Sequence, residues 1–172
     1  MILGYNWYLS QPTGWLMSEK LNGVRCYWDG VRLFTREYRP IYAPASFLAQ
    51  LPAGIALDGE LWHGRGGYRR TLALFQGTGQ STKVEWADVR YGVFDAPRHR
   101  GTIEERAAYL RTLKLSGQIF VIKHKRCRSM AHLKTSYMEI YDGGGEGLVL
   151  RKAGSLYVHE RTTEFLKVKL PW

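Results

Sequence analysis

Charged side chains sit inside the most apolar stretches of this sequence, and that limits how it can fold. Leu57-Asp58-Gly59-Glu60-Leu61 holds two carboxylates between leucines. Glu146-Gly147-Leu148-Val149-Leu150-Arg151 begins acidic and ends basic, and Phe165-Leu166-Lys167-Val168-Lys169 alternates apolar with basic residues. A charge is costly to bury unless an opposite charge or hydrogen-bonding groups meet it. Each segment has the length and composition of a strand. Side chains alternate between the two faces of a strand, so Asp58 and Glu60 share one face. Lys167 and Lys169 likewise share a face, with Leu166 and Val168 on the other. These strands therefore need partners, ligands or solvent for their polar faces.

The remaining pattern gives the fold class. Strands are expected at 15–19 and 24–28, with Asp29-Gly30 as a two-residue turn returning into a strand at 31–36. A short helix at 46–51, a strand at 55–62 and a glycine-rich turn at 63–67 follow, then a helix at 68–76 and a strand at 89–95. Thr102 with Glu105 three residues on has capping-box spacing and starts a helix at 102–114. A strand at 119–123, a helix at 129–141 closed by Gly143-Gly144-Gly145, and strands at 147–151 and 164–170 complete the order. Strands broken by helices without regular βαβ alternation predict an α+β fold, with antiparallel sheets and helices on their outer faces.

Composition bounds the functional class. The 172 residues fit one domain, and the 25 Lys and Arg against 15 Asp and Glu leave a net charge of +10. The excess is uneven: residues 1–95 hold 10 basic and 8 acidic side chains, net +2, and residues 96–172 hold 15 and 7, net +8. An acidic or phosphate-bearing partner is expected, drawn mainly to the later half. No apolar run approaches the roughly 20 residues that span a bilayer, and residues 1–6 lack a basic region followed by a signal core. Two distant cysteines, Cys26 and Cys127, suggest neither a disulfide framework nor a zinc site. A cytoplasmic location and a monomer are the expectations.

Several residues could carry chemistry. Lys20 lies between a strand and a glycine-containing turn, where an ammonium near other cations can become a nucleophile. Asp58, Glu60 and Glu146 could hold a hard divalent cation; alternatively they pair with Arg25, Arg151 or Lys152. Lys167 and Lys169 suit a phosphate or a lysine-protected edge strand. Lys123-His124-Lys125-Arg126-Cys127-Arg128 reads equally as a phosphate-backbone contact or a solvated loop. Arg65, Arg69 and Arg70 are further phosphate candidates. His63, His99, His124, His132 and His159 have no ligand spacing, and none is assigned to a metal.

In order and combination these segments resemble the covalent nucleotidyltransferase superfamily of ATP-dependent DNA ligases, RNA ligases and mRNA capping enzymes. Lys20-Leu21-Asn22-Gly23-Val24-Arg25 resembles the K-x-D-G-x-R nucleophile motif, and Leu57-Asp58-Gly59-Glu60-Leu61 the D-G-E motif. Tyr91-Gly92-Val93-Phe94-Asp95 is similar to the aromatic-Asp motif. Glu146-Gly147-Leu148-Val149-Leu150-Arg151 is similar to the E-G-[LVI]-[VM]-[LV]-[RK] motif, and Lys167-Val168-Lys169 to the final K-x-K. The local texture looks most like the small bacterial and viral DNA ligases.

The resemblance implies a nucleotidyltransferase (adenylation) domain over 1–172 that binds ATP, forms a lysyl-AMP intermediate on Lys20 and seals nicks in duplex DNA. Arg25 and Glu60 would contact the ribose, Phe94 would stack on adenine, and Glu19 would occupy the place where the family reads that base. Arg36 matches a family position near the ribose and nucleic acid. Glu60 and Glu146 would lie at Mg²⁺ or Mn²⁺, while Lys167 and Lys169 would grip the α-phosphate. Lys123, Lys125, Arg126 and Arg128 are left for the polynucleotide.

Two departures stand against the family pattern. Asn22 replaces the usual Asp and cannot supply its charge. The OB-fold domain that normally follows the K-x-K strand is not expected here, so a partner protein or a missing domain would have to supply its contacts. These departures keep open an RNA ligase, or a nick- or end-binding module with weak or no catalysis; a capping-type enzyme ranks third.

Overall fold

The computed structural model describes residues 1–8, 10–75 and 86–169. Among them, eleven strands form two sheets. The first sheet has the order β1-β11-β10-β2-β9, from β1 (Leu3–Asn6), β2 (Leu16–Glu19), β9 (Lys125–Arg126), β10 (Leu148–Arg151) and β11 (Arg161–Val168). The second has the order β5-β4-β3-β6-β7-β8. Its strands are β3 (Val24–Trp28), β4 (Leu33–Thr35), β5 (Pro40–Ile41), β6 (Leu57–Trp62), β7 (Arg90–Asp95) and β8 (Ile119–Val121). Four helices accompany them: α1 (Ala45–Leu48), α2 (Tyr68–Ala73), α3 (Ile103–Thr112) and α4 (Met130–Asp142).

Alternation along the strands divides each sheet into a core face and a polar face. On the first sheet, Met17, Leu148, Leu150, Leu166 and Val168 pack with Leu133 and Tyr137 of α4. On the second, Cys26, Trp28, Leu57, Leu61, Tyr91 and Val93 join Phe47 of α1 and Leu110 of α3. The intervening residues, Arg25, Asp58, Glu60, Phe94, Val149, Arg151 and Lys167 among them, are left for the opposite faces. The α+β class and the outer helices thus follow the sequence pattern.

The differences are local and have identifiable causes. Pairing is mostly antiparallel, but β1 with β11 and β7 with β8 are parallel. The Asp29-Gly30 hairpin is not a two-residue turn, because Trp28 pairs with Leu33 and leaves four residues in the loop. Asp29 causes this. Its Oδ1 accepts from the backbone N–H of both Val31 and Arg32 at 2.7 Å, so the side chain closes a longer loop. Helix α3 starts as expected, with Thr102 and Glu105 capping each other reciprocally. The expected ends of the second helix, at 76, and of the last strand, at 170, lie outside the described residues.

Beneath the polar faces, a buried ion cluster ties the two sheets together. Asp95 ends β7, and Arg106 Nε donates to its Oδ1 at 2.6 Å. Arg151 of β10 donates to Asp95 Oδ2, and Arg106 also bonds the Gly101 carbonyl at 2.7 Å. Asp95 and Arg106 are fully buried, and Arg151 nearly so. Burial would push the Asp95 carboxyl up, but Arg151 and Arg106 outweigh it and hold it below the usual carboxylate range. Such a group contributes stability above its unfolded pKa, and that contribution is lost as pH falls through its folded value. Asp95→Asn is therefore expected to cost about 3 kcal/mol or more at neutral pH by leaving two guanidinium groups buried without a counter-charge. Urea unfolding across a pH series should show the gap from wild type beginning to close as pH falls below about 4, the unfolded value, and closing fully only below the lowered folded value.

Candidate active site

The polar faces of the two sheets enclose a cavity of about 250 Å³. Its walls bring together Glu19, Lys20, Arg25, Arg36, Glu60, Phe94, Lys167 and Lys169, eight of the sequence-predicted residues drawn from positions 19 to 169. Glu146 joins them through its partners: one carboxylate oxygen accepts from Lys20 Nζ, the other from Lys169 Nζ at 2.5 Å. Asn22 is exposed in the loop between β2 and β3 and is not part of the cavity wall.

Backbone geometry explains why Lys20 projects here. β2 ends at Glu19, and Lys20 donates its backbone N–H to the Gly147 carbonyl at 2.9 Å, which fixes the first residue beyond the strand. Gly147 has φ +144, and a Cβ there would lie 2.4 Å from the Val168 carbonyl oxygen. Only glycine therefore lets the segment carrying Glu146 lie this close to β11. Gly23 serves the same end on the second sheet, since its Cβ would strike the Leu61 carbonyl at 2.0 Å.

Arg25 is fixed by a forked pair. Its Nε and Nη2 each donate to an Asp58 carboxylate oxygen at 2.7 Å, and Nη2 also reaches the Ile2 carbonyl at 3.1 Å. Tyr157 donates its hydroxyl to Asp58 Oδ2 at 2.5 Å. The Arg25 guanidinium lies 4.6 Å from the centre of the Phe94 ring. Asp58 is thus paired with Arg25, one of the cations the sequence offered it. Burial opposes the charge on Arg25, but Asp58 outweighs it and raises the group.

The other carboxylates differ in state. Burial pushes Glu60 up to about 7, against the pull of Arg25 and Lys20 and a hydrogen bond from the Gly23 N–H at 3.2 Å. Burial also pushes on Glu146, but the hydrogen bonds from Lys169 and Lys20 win and hold it below the usual range. Lys167 is lowered by burial and by the cations Arg161, Lys20, Lys169 and Arg36. A wall this rich in mutually repelling cations suits an anionic ligand.

Three further cavity residues carry no ligand role in the sequence reading, where Arg151 is only a possible carboxylate partner and His124 part of a basic stretch. Arg161 and Arg151 line the cavity, as does His124, whose imidazole burial and Arg151 push down to about 4. His124 lies in the stretch read as a basic patch, and no local spacing signals that it turns inward. The rest of that stretch is surface: Lys123, Lys125, Arg126 and Arg128 are exposed. Lys125 and Arg126 form the short edge strand β9, and Arg126 bonds the Gly14 carbonyl at 3.0 Å and lies 3.5 Å from Glu104. Among the described residues no group of three or more His, Cys, Asp or Glu could by itself hold a metal ion. No helix of the described residues is long and apolar enough to cross a membrane.

The comparisons agree with this geometry. No family model matches the sequence. A DNA ligase of Haemophilus influenzae is 34% identical over an alignment of 169 residues that covers 94% of this chain and 60% of the relative. A structure from a structure-function analysis of Lig E DNA ligases superposes with a TM-score of 0.89 at 31% identity, covering 99% of this chain and 68% of that one. The Chlorella virus DNA ligase-adenylate has the same fold, with a TM-score of 0.79 at 18% identity, covering 99% of this chain and 67% of that one. A lysine-centred cavity between two sheets, with its motifs in this order, defines the nucleotidyltransferase class. Within it, the chain belongs to the DNA ligase family. It spans 60% of the length of the Haemophilus relative.

The forked pair makes a direct prediction. Asp58→Ala should destabilise the protein by about 3 kcal/mol or more, because Arg25 then stays buried without its counter-charge. Tyr157→Phe should cost less, about 2 kcal/mol, by removing its hydrogen bond to the Asp58 carboxylate and the one it accepts from the Ile2 N–H at 3.2 Å. Urea unfolding midpoints of the two variants against wild type measure the difference.

Proposed function

We propose that residues 1–172 are the nucleotidyltransferase domain of an ATP-dependent DNA ligase, carrying Lys20 as the nucleophile. The supporting observation is the convergence of Lys20, Lys167, Lys169 and Arg161 on one cavity that Phe94 and Val149 also line. The cations suit a polyphosphate, and an aromatic ring in the same wall suits a flat base.

In this reading, Lys20 Nζ, as the free amine, attacks the α-phosphorus of ATP. A nitrogen–phosphorus bond forms, the bond to pyrophosphate breaks, and AMP remains on the lysine. The 5′-phosphate of a nick then takes the AMP, returning Nζ to the amine, and the 3′-hydroxyl displaces AMP as the new phosphodiester forms. Glu146 orients the amine, since it hydrogen-bonds Lys20 in the resting site. Lys167 and Lys169 hold the α-phosphate and meet the charge that develops on its oxygens. Arg25 and Glu60 hold the ribose, Phe94 stacks on adenine, and Arg36 lies toward the nucleic acid. Glu19 flanks the base. Asn22, exposed outside the cavity wall, is left for the nicked strand rather than the nucleotide.

A divalent cation, Mg²⁺ or Mn²⁺, fits this donor set only in company with the nucleotide. Glu146 and Glu60 offer two carboxylates, and hard cations of this size take one or two protein carboxylates together with phosphate oxygens. When bound, the ion would offset negative charge on the phosphates. Lys123, Lys125, Arg126 and Arg128 support a further contact with the DNA backbone, exposed and basic as they are.

Incubation with labelled ATP and Mg²⁺ is expected to leave an acid-stable adenylyl adduct on the protein. Lys20→Ala should abolish the adduct while leaving salt-sensitive binding of nicked DNA within about twofold, because the phosphate contacts lie on other residues. A wild-type protein that forms no adduct and seals no pre-adenylylated nick would overturn the reading.

A further inference from the structure

The polar face of the second sheet continues past the catalytic cavity. Strand register sets Glu60, Gly92 and Phe120 in one row across β6, β7 and β8. Trp62 and Arg90, two residues along their strands, form the next row on that face. Trp62 and Phe120 wall a second cavity of about 360 Å³, larger than the catalytic one, together with Leu21, Ile122 and Ile140. A Cβ on Gly92 would lie 2.6 Å from Leu21 Cδ1 and 2.9 Å from Phe120 Cζ, so glycine there lets both side chains lie against the sheet. The two rings are half-buried, with centres 6.2 Å apart, and the Arg90 guanidinium lies 4.3 Å from the centre of Phe120.

Cations border this aromatic wall. Lys123 and Lys125 line the cavity and are exposed, and neither ammonium has a hydrogen-bond or ion-pair partner among the described residues. Arg126 beside them is engaged with the Gly14 carbonyl and Glu104. Of the two carboxylates in the wall, Glu19 accepts from Arg65 Nε and Nη2 at 2.9 and 3.1 Å, and Glu139 is exposed on α4. Uncommitted cations beside aromatic rings suit a ligand that joins an anion to a flat ring, as a nucleotide does. Ser18, Glu19, Leu21 and Ile122 line both cavities, so a strand that reaches Lys20 comes within reach of the second. A base paired in a duplex is stacked on both faces, and only an unpaired one is free to enter.

We propose that the second cavity binds an unpaired base of a DNA strand, its ring against Trp62 and Phe120 and its phosphate at Lys123 and Lys125. Naming DNA as the source of that base rests on the ligase reading above.

Fluorescence anisotropy tests the site by comparing a single-stranded oligothymidylate about ten nucleotides long with an abasic strand of equal length. Wild type is expected to bind the thymidylate about tenfold more tightly, the worth of one stacked base. Trp62→Leu removes the platform, and Ser136→Trp fills the cavity from its α4 wall. Both should erase the preference while adduct formation from ATP stays at the wild-type level. Ser136→Trp leaves the sheet untouched and decides the matter if Trp62→Leu lowers the unfolding midpoint. Lys123→Ala combined with Lys125→Ala should weaken both strands alike, since it removes phosphate contacts only. Equal binding of the two strands by wild type would leave the cavity to an apolar group of another kind and overturns the proposal. So does a preference that survives Ser136→Trp, or one that Phe94→Leu abolishes, which would put the base in the catalytic cavity. An adduct without the preference removes this site and leaves the ligase reading standing. The preference without an adduct or sealing leaves a base-binding cavity and removes the ligase reading.

Discussion

The fully buried Asp95 carboxylate is the joint on which the rest of the molecule depends. It ends a strand of the second sheet and accepts from Arg151 in the first and from Arg106 in α3. A single carboxylate between two guanidinium groups leaves that cluster with an excess positive charge in the protein interior, which is costly without further acceptors. The carbonyls of Gly101 and Ser155 supply some of them, at 2.7 and 3.3 Å from Arg106 Nη1. Arg151 Nε has no hydrogen-bond partner among the described residues, although Arg151 lines the cavity. The tie between the sheets is thus also part of the wall of the site. Distorting it would disturb the cavity as well as the fold.

Two other arginine–carboxylate units span the same cleft. Arg25 and Asp58 belong to one sheet, but the acceptor at Ile2 and the donor at Tyr157 come from segments flanking strands of the other. Arg65 and Glu19 cross from sheet to sheet directly. Ordinary apolar contact could hold two sheets together more cheaply, since buried ion pairs rarely outperform well-packed hydrophobic replacements. Direction distinguishes the charged solution. Each fork fixes a guanidinium plane within a narrow range of angles, so the side chains around the cavity are oriented before a ligand arrives.

How much of this is legible in the sequence depends on whether the cause is local. Alternation along Phe165–Lys169 predicts which residues face the core, and Leu166 and Val168 do lie there. The Thr102–Glu105 capping box is a four-residue interaction and is read correctly. Asp29 shows the limit even at short range, because its side chain competes for backbone donors and changes the loop length. Arg106 is a more serious omission. Its helix looks like an ordinary amphipathic one, and nothing within a few residues reveals that one of its cations is fully buried against Asp95. The same holds for Arg65 and Glu19, 46 residues apart, and for His124 within a run of surface cations. Strand β1 is four residues including a glycine, too short to carry a periodic signal, yet it contributes Leu3 and Gly4 to the cavity.

The charge pattern of the chain acquires a different meaning in this structure. The sequence excess is +10, but it is not spread evenly over the surface. Arg25 is paired inside with Asp58, while Arg106 and Arg151 share Asp95. Lys20 and Lys169 share the single carboxylate of Glu146. Lys167 stands among Arg161, Lys20, Lys169 and Arg36 and is lowered, after burial, by their repulsion. An arriving phosphate would relieve that repulsion and would compete with Glu146 for Lys20 and Lys169. The resting ion pairs therefore occupy the places a phosphate must take, and binding is an exchange of one anion for another. That exchange favours a ligand bringing more negative charge than a single carboxylate, which a polyphosphate does and a neutral nucleoside cannot.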